Sequence, residues 1–150
     1  MTMEPGIARS RHRGFTLIEL LIAMAIVAIL VRIAFPSYQA YIVRSSRQAA
    51  QAELVALANS QEKIYLNSSA YASSVTANYT GQSGGGLGVA TTTTCATAGR
   101  SKDCRYTFSV AATATTFTLT GTPVAGTPQE ADGNLTITEA GQRTWGSKTW

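Results

Sequence analysis

The residues that first suggest catalysis are Gly81 to Gly85, which read G-x-S-x-G around Ser83. In hydrolases with this pattern a strand precedes the serine, a helix follows it, and a histidine elsewhere accepts its proton. The chain has one histidine, His12, and it lies in a short basic stretch ahead of an apolar segment. Residues 67–100 show neither a helical nor a strand period around Ser83. The sequence therefore predicts a loop at Ser83 and a protein that is not an enzyme.

Acidic side chains are the next candidates for chemistry, as ligands of a metal ion. Asp103 stands apart, and Glu130 and Asp132 lie together in the stretch EADGN. Calcium takes about six to eight oxygen ligands, so this stretch could bind it only weakly. The Asp132–Gly133 pair is more typical of a turn, because Asp bonds to nearby backbone and Gly tolerates a positive φ. We therefore expect no metal site and no cofactor.

A basic cluster offers a third kind of chemistry, which is contact with phosphate groups. Arg100, Lys102 and Arg105 lie close together in sequence, on a loop that a Cys95–Cys104 pair could hold out from the rest of the domain. Three cations support phosphate contacts of modest and strongly salt-dependent affinity. The net charge of +4 falls to about +2 once three arginines and one glutamate in residues 1–14 are set aside. Because no continuous basic stripe remains, the sequence favours solvated loop charges over a nucleic-acid site.

An apolar segment dominates the first part of the chain. Phe15–Phe35 is 21 residues long and would span about 31 Å as a helix, close to the thickness of a membrane's hydrocarbon core. Three arginines precede it, and such an excess predicts a cytoplasmic N-terminus. The later residues then face an oxidising compartment, where we expect Cys95 and Cys104 to form a disulfide worth about 2–3 kcal/mol.

Glu19 conflicts with a simple membrane span, because a carboxylate in hydrocarbon costs roughly 2.5–3.5 kcal/mol. A secretory signal peptide has a shorter apolar stretch of about 7–15 residues and a small-residue cleavage site. The segment here is longer and ends in AFPSYQAY without an A-x-A exit. An uncleaved signal anchor explains the length and the flanking charge, but it explains neither Glu19 nor the Gly14–Phe15 junction. Some other partner must therefore balance the carboxylate.

The stretch RGFTLIELLIAMAIVAIL resembles the N-terminus of type IV prepilins. The features that carry the resemblance are a basic leader, Gly14 before a phenylalanine, Glu19 at a fixed place, and an apolar helix that continues past Pro36. Two later stretches, QEKIYLNSSAYA and TFTLTGTP, resemble the minor-pilin branch of that family.

The resemblance implies how the N-terminus is processed. A membrane peptidase would cut between Gly14 and Phe15 on the cytoplasmic side, and the same enzyme would methylate the new amine of Phe15. Glu19 would pair with the N-terminal amine of a neighbouring subunit and set the axial register, since an opposite charge favours the ionised carboxylate. The implied partners are other pilin subunits in a helical filament, the prepilin peptidase/N-methyltransferase, the inner-membrane assembly machinery, and the membrane before assembly.

The rest of the chain predicts an α+β fold. From Tyr38 to about Leu66 apolar residues recur at three- and four-residue steps, so one helix continues beyond the apolar segment. The stripe consists of Leu54, Leu57, Ala58, Gln61, Ile64 and Tyr65. Alternating residues predict strands at 105–111, 116–122, 134–138 and 143–145. The expected fold is a pilin-like lollipop, in which a long N-terminal helix with a transmembrane apolar half packs on an antiparallel sheet of about four strands.

We predict three parts: a cytoplasmic leader peptide at 1–14, a transmembrane and filament-core half of the helix at 15–36, and a periplasmic pilin head domain at 37–150 that includes the amphipathic half of the helix. The predicted function is a structural subunit of a type IV pilus, with a minor pilin favoured. It would sit in the bacterial inner membrane before assembly and in the extracellular pilus afterwards. A major pilin, a type II secretion pseudopilin and a DNA-uptake receptor remain alternatives. The nearly neutral head favours a structural subunit over a DNA receptor.

Overall fold

The computed structural model describes residues 15–91 and 94–150, so the predicted leader peptide at 1–14, with Gly14, lies outside the described residues. Two compact units divide the chain, Met1–Tyr38 and Gln39–Trp150. The elements in chain order are α1 at Leu17–Ser68, β1 at Tyr106–Ala112, β2 at Phe117–Pro123, β3 at Leu135–Thr138, β4 at Arg143–Trp145 and β5 at Lys148–Thr149. The predicted α+β class is confirmed.

Helix α1 begins after Thr16, whose hydroxyl accepts a hydrogen bond from the N–H of Glu19 at 3.3 Å. Thr-x-x-Glu is typical of a helix start, because the hydroxyl satisfies one of the N–H groups that lack a partner in the first turn. The helix is 52 residues long and contains Pro36, which confirms the prediction that it continues past this proline. After Ser68, Ser69 takes a φ of +52°, and this left-handed conformation is common just beyond helix ends.

The first unit consists, in its described part, of the apolar half of α1. Its side chains are exposed, with Leu17 at 81% and Ile33 at 71% of their full accessible area. An 18-residue window of the helix has a mean hydropathy of 2.6. By length and composition this helix can therefore cross a membrane.

The second unit contains an antiparallel sheet with the strand order β1-β2-β3-β4-β5. The four predicted strands are confirmed with shifts of about one residue. Strand β5 was not predicted, because it has two residues and follows β4 after only Gly146 and Ser147. Gly146 has a φ of +56°, and a two-residue hairpin turn needs such a positive φ. The sequence signal for this hairpin is the pair Gly146–Ser147 between the triplets RTW and KTW.

The core of the second unit lies between α1 and one face of the sheet. Its buried residues from the helix are Ala50, Leu54, Leu57, Ala58 and Ile64, and those from the strands are Tyr106, Phe108, Phe117, Leu119, Leu135 and Ile137. Gly121 allows the helix to approach closely, because a Cβ there would lie 3.3 Å from Phe108 Cε1 and 3.4 Å from Leu54 Cδ1. Ala72, Val75 and Leu87 complete the core from the segment after the helix.

Gln61 is fully buried within the predicted apolar stripe. Its amide nitrogen donates to the carbonyl of Ala72 at 2.7 Å, and its oxygen accepts from the N–H of Ala72 at 2.9 Å. Both polar atoms of the buried amide are therefore satisfied, as burial requires. This pair of bonds holds the irregular segment after α1 against the helix.

An ion pair ties α1 to the connection between β2 and β3. Arg47 donates from Nε and Nη2 to the two carboxylate oxygens of Asp132 at 2.8 and 2.7 Å. Asp132 also accepts from the hydroxyl of Tyr106 at 2.5 Å and from Nε2 of Gln129 at 2.7 Å. The indole N–H of Trp145 donates to the main-chain oxygen of Asp132. We call these five residues the Asp132 cluster.

The Asp132 cluster also answers the question of a cation site in EADGN. The predicted turn is confirmed, since Gly133 has a φ of +91°. The carboxylate of Asp132 is only 4% exposed and already has four donors. Among residues 15–91 and 94–150 there is no group of three or more His, Cys, Asp or Glu side chains that could hold a metal ion.

Removing the carboxylate should destabilise the head strongly. In an Asp132→Ala variant the half-buried Arg47 and the buried Tyr106 lose this acceptor, and we expect a loss of about 3 kcal/mol in unfolding free energy. Denaturant unfolding of the full chain in a non-ionic detergent, followed by tryptophan fluorescence, measures it. Arg47→Ala and the double variant complete a cycle, with Lys63→Ala as an exposed control. A loss below about 1 kcal/mol for Asp132→Ala would contradict this role.

The hydroxyl of Tyr106 should make stability sensitive to alkaline pH. Its burial, followed by its hydrogen bond to Asp132, raises its pKa well above the ordinary value. The unfolded chain releases this proton near pH 10 while the folded chain keeps it, so stability should fall above about pH 10 by up to ~1.4 kcal/mol per pH unit. The Tyr106→Phe variant has no hydroxyl to titrate, so its unfolding free energy, measured by denaturant unfolding at a series of pH values, should fall less steeply above about pH 10. Parallel profiles for the two proteins would refute the assignment.

Candidate functional site

The N-terminal end of α1 carries the predicted assembly residue. Glu19 is exposed in the first turn of the helix, where a negative charge is favourable because the helix N-terminus is partly positive. Within residues 15–91 and 94–150 its carboxylate has no hydrogen-bond or ion-pair partner. Phe15 is 80% exposed. Cleavage after Gly14, methylation of Phe15 and pairing of Glu19 with a neighbouring subunit therefore stay predictions.

The predicted disulfide is confirmed. Cys95 and Cys104 are bonded, with their Cα atoms 5.5 Å apart. The closed loop contains Arg100 and Lys102, and Arg105 follows it directly. The bond therefore fixes both ends of the segment that carries the predicted basic cluster.

The sequence suggests a basic cluster that is held out from the sheet, and this prediction is wrong. The cluster lies along the edge of the sheet. The N–H of Phe108 donates to the carbonyl of Gly99 at 2.6 Å, and the N–H of Ser101 donates to the carbonyl of Tyr106 at 2.8 Å. Arg100 forms an antiparallel bridge with Thr107. The physical reason is that β1 is an edge strand, whose free N–H and C=O groups pair with any extended neighbour.

Two acidic side chains fix the backbone of this loop. Asp103 accepts from the hydroxyl of Ser101 at 2.6 Å and from the N–H of Arg105 at 3.3 Å. Glu53, on α1, accepts from the N–H of Lys102 at 3.2 Å, and burial raises the pKa of this carboxyl. The loop is thus bonded to the helix as well as to β1. A rigid loop loses little conformational freedom when its side chains bind a ligand.

The cations of the basic cluster differ in exposure. Lys102 is exposed, while Arg100 and Arg105 are half-buried. Nε of Arg100 and Nη1 of Arg105 are buried without a hydrogen-bond partner among the described residues. A groove of about 320 Å³ beside them is lined by Glu53, Leu57, Leu87 and Val89 together with Arg100 and Lys102. Tyr106 is fully buried and offers no surface for stacking.

The carboxylates and the cations of the second unit differ in their partners. The six carboxylates of Gln39–Trp150 each accept a hydrogen bond from a neighbouring group: Glu53, Glu62, Asp103, Glu130, Asp132 and Glu139. The Arg47–Asp132 pair is the single ion pair among the described residues. The other cations of this unit are Arg44, Lys63, Arg100, Lys102, Arg105, Arg143 and Lys148. The exposed ones, which are available to an external anion, are Arg44, Lys63, Lys102, Arg143 and Lys148.

A second group of cations, which sequence reasoning missed, lies on the β4–β5 hairpin. The guanidinium of Arg143 lies 5.2 Å from the ring centroid of Trp150, and the ammonium of Lys148 lies 5.1 Å from that of Trp145. The guanidinium of Arg47 lies 3.5 Å from the Trp145 centroid. The sequence signal was a repeated triplet, RTW and KTW, on both sides of Gly146–Ser147.

Comparison with known proteins places the chain among the pilins. Residues 36–136 match the family model described as type IV minor pilin ComP, DNA uptake sequence receptor, and residues 9–34 match the prokaryotic N-terminal methylation motif. The second match and the apolar half of α1 fit a subunit that is anchored in a membrane before it enters a pilus. The family is one of structural pilins.

Several curated relatives share shorter stretches with the chain. It is 43% identical over 65 residues to a fimbrial protein of Pseudomonas aeruginosa, covering 43% of this chain and 42% of that protein. It is 41% identical over 61 residues to the type IV major pilin protein PilA of Myxococcus xanthus, covering 41% and 28%. It is 60% identical over 37 residues to the type IV major fimbrial protein FimA of Dichelobacter nodosus, covering 25% and 24%. The chain thus spans less than half the length of these relatives.

The two family models together cover both units of the fold, and the first alone matches about two thirds of the chain. They agree with the resemblance at Gly14 to Glu19 and with the predicted helix and sheet. The chain is a type IV pilin and belongs to the type IV minor pilin ComP family.

Proposed function

We propose that this chain is a minor pilin that binds DNA at the surface of a type IV pilus. The observation that carries the proposal is the match of residues 36–136 to a family described as a DNA uptake sequence receptor. This match covers most of the head, so it concerns the part of the chain that would face a ligand. The nearly neutral net charge had favoured a subunit without a DNA role.

The placement of charges supports DNA binding despite the low net charge. Arg100, Lys102 and Arg105 lie on a loop whose backbone is bonded to β1 and α1, with Lys102 exposed and the two arginines half-buried. None of their charged side-chain groups has a carboxylate oxygen within 4.0 Å among the described residues. Contacts between lysine or arginine and the phosphates supply most of the sequence-independent affinity of a protein for DNA. We therefore assign the basic cluster the role of a phosphate-binding surface.

Assembly into the filament is the second part of the proposal. Prepilin peptidase would cut between Gly14 and Phe15 and methylate Phe15, and the inner-membrane machinery would then extract the subunit. The N-terminus would face the cytoplasm, since three arginines precede the apolar helix. Glu19 would pair with the N-terminal amine of a neighbouring subunit. This pairing is supported by the Glu19 carboxylate, which has no partner among the described residues.

A major pilin is the second candidate, because two of the relatives above are named as major pilin or major fimbrial proteins. A major subunit dominates the mass of the filament, whereas a minor subunit is a small fraction of it. Quantitative mass spectrometry of sheared pili distinguishes them. A preparation in which this chain dominates would establish the major subunit and contradict the minor one.

Loss of the Glu19 carboxylate should impair assembly but not processing. A Glu19→Ala variant keeps the basic leader and Gly14, so it should be cut, and its N-terminal residue should be methylated Phe15. Its incorporation into sheared pili should fall at least about tenfold, which corresponds to roughly 1.4 kcal/mol for a lost charge pair. N-terminal sequencing and intact mass measure the first effect, and immunoblots of sheared pili measure the second. Normal incorporation would remove Glu19 from the assembly mechanism.

Neutralising the basic cluster should weaken DNA binding in a salt-dependent way. The full chain in a non-ionic detergent should bind duplex DNA at low salt, and Arg100→Ala, Lys102→Ala and Arg105→Ala combined should bind more weakly. The slope of log affinity against log salt should shrink by about one for each phosphate-contacting cation removed. Lys63→Ala, an exposed change on α1, is the matched control. A wild-type chain that binds no DNA at low salt would refute the proposed function.

A further inference from the structure

Residues 143–150, RTWGSKTW, repeat one pattern of cation, threonine and tryptophan on two antiparallel strands. Trp145 lies opposite Lys148 in the register. Because side chains alternate along a strand, Arg143 and Trp145 share one face of β4, and Lys148 and Trp150 share the same face of the neighbouring strand. We call this group of two cations and two indoles the cation–indole hairpin.

The cations of the cation–indole hairpin are held by the indoles of the opposite triplets. Arg143 lies over Trp150 and Lys148 lies near Trp145, with 5.2 and 5.1 Å to the ring centroids. The indoles are themselves fixed, since Trp145 donates to Asp132 and Trp150 donates to the carbonyl of Thr144 at 2.8 Å. Stacking on a ring positions a cation without using its N–H donors.

Those donors remain free for a ligand. Arg143 and Lys148 are exposed, and neither has a carboxylate within 4.0 Å in the part of the chain that the structure describes. Their Cα atoms are about 8 Å apart, from two residues along β4 and one strand spacing across. One DNA strand presents a phosphate every ~3.4 Å along the helix axis, so both cations reach phosphates of the same strand.

We propose that the cation–indole hairpin is a second DNA-contacting surface of this protein, with Arg143 and Lys148 donating to backbone phosphates. The inference rests on the proposed function but uses residues outside the basic cluster. Strands β1 and β5 are the two edges of the sheet, about 19 Å apart. The basic cluster lies along β1, so the two surfaces are at opposite edges of the sheet.

The chemistry of the hairpin predicts affinity without sequence preference. Both indoles are half-buried, their N–H groups are already bonded, and a cation lies near one ring face of each. They are therefore not free platforms on which bases could stack. Phosphate contacts position DNA but do not read its sequence. Loss of the hairpin cations should thus weaken binding to every sequence by the same factor.

The test uses the full chain in a non-ionic detergent, titrated with duplex DNA of several sequences. The two tryptophans of the chain both belong to the hairpin, so intrinsic fluorescence reports directly on DNA at this surface. We expect fluorescence to change on binding. The Arg143→Ala and Lys148→Ala double variant should bind all sequences at least about tenfold more weakly, with a salt slope smaller by about two. Arg143→Lys should keep the wild-type slope, and Thr149→Ala, an uncharged change on the same hairpin, should leave affinity unchanged.

The outcomes separate this inference from the proposed function. A wild-type chain that binds no DNA overturns both. The hairpin surface alone is overturned if the wild-type chain binds DNA without a change in tryptophan fluorescence and the double variant keeps the wild-type salt slope. Anionic lipid vesicles that change the fluorescence when DNA does not would assign the hairpin to a membrane surface and also overturn it. Equal unfolding midpoints for the variant and the wild type establish that a loss of affinity is not a loss of fold.

Discussion

The buried carboxylate of Asp132 is the constraint around which the head is organised. A charge that is only 4% exposed must be paired and hydrogen-bonded, or the head would be strongly destabilised. Its donors come from α1, from the first residue of β1 and from the turn before β3, while the indole of β4 bonds to its main-chain oxygen. Tyr106 directly follows the basic loop, and Trp145 is the last residue of β4 in the hairpin. Both candidate DNA surfaces are thus attached to one polar cluster.

The apolar core alone would not fix these positions so well. Leu54, Phe108 and Leu119 bury surface in a way that depends little on direction, so helix and sheet could slide at small free-energy change. The bidentate geometry of Arg47 and Asp132 permits one arrangement. We infer that this ion pair contributes specificity of packing more than net stability. A fixed packing in turn fixes the cations that project from its edges.

Sequence reasoning succeeded where the signal was local. The resemblance to prepilins was read from a short stretch within residues 9–34, which match the N-terminal methylation motif, and the alternation in β1 and β2 located the strands to about one residue. The capping role of Thr16 was equally readable as Thr-x-x-Glu, although it was missed. The Arg47–Asp132 pair joins residues 85 apart, and no pattern within a short window marks such a partner. The pairing of residues 99–101 with β1 could not be predicted either. An edge strand can pair with any extended segment, so the sequence of β1 does not specify its partner.

Net charge averages over groups with different surroundings. The carboxylates of the head each accept a hydrogen bond from the protein's own donors, whereas most of its cations have no carboxylate partner among the described residues; exposed residues are the majority of both groups. The field of the whole head stays weak, since the carboxylates keep their charge, so long-range attraction of DNA is limited. Contact affinity depends instead on individual phosphate pairs, which salt weakens readily. A surface of separate phosphate pairs therefore binds DNA reversibly, with an affinity that the salt concentration adjusts.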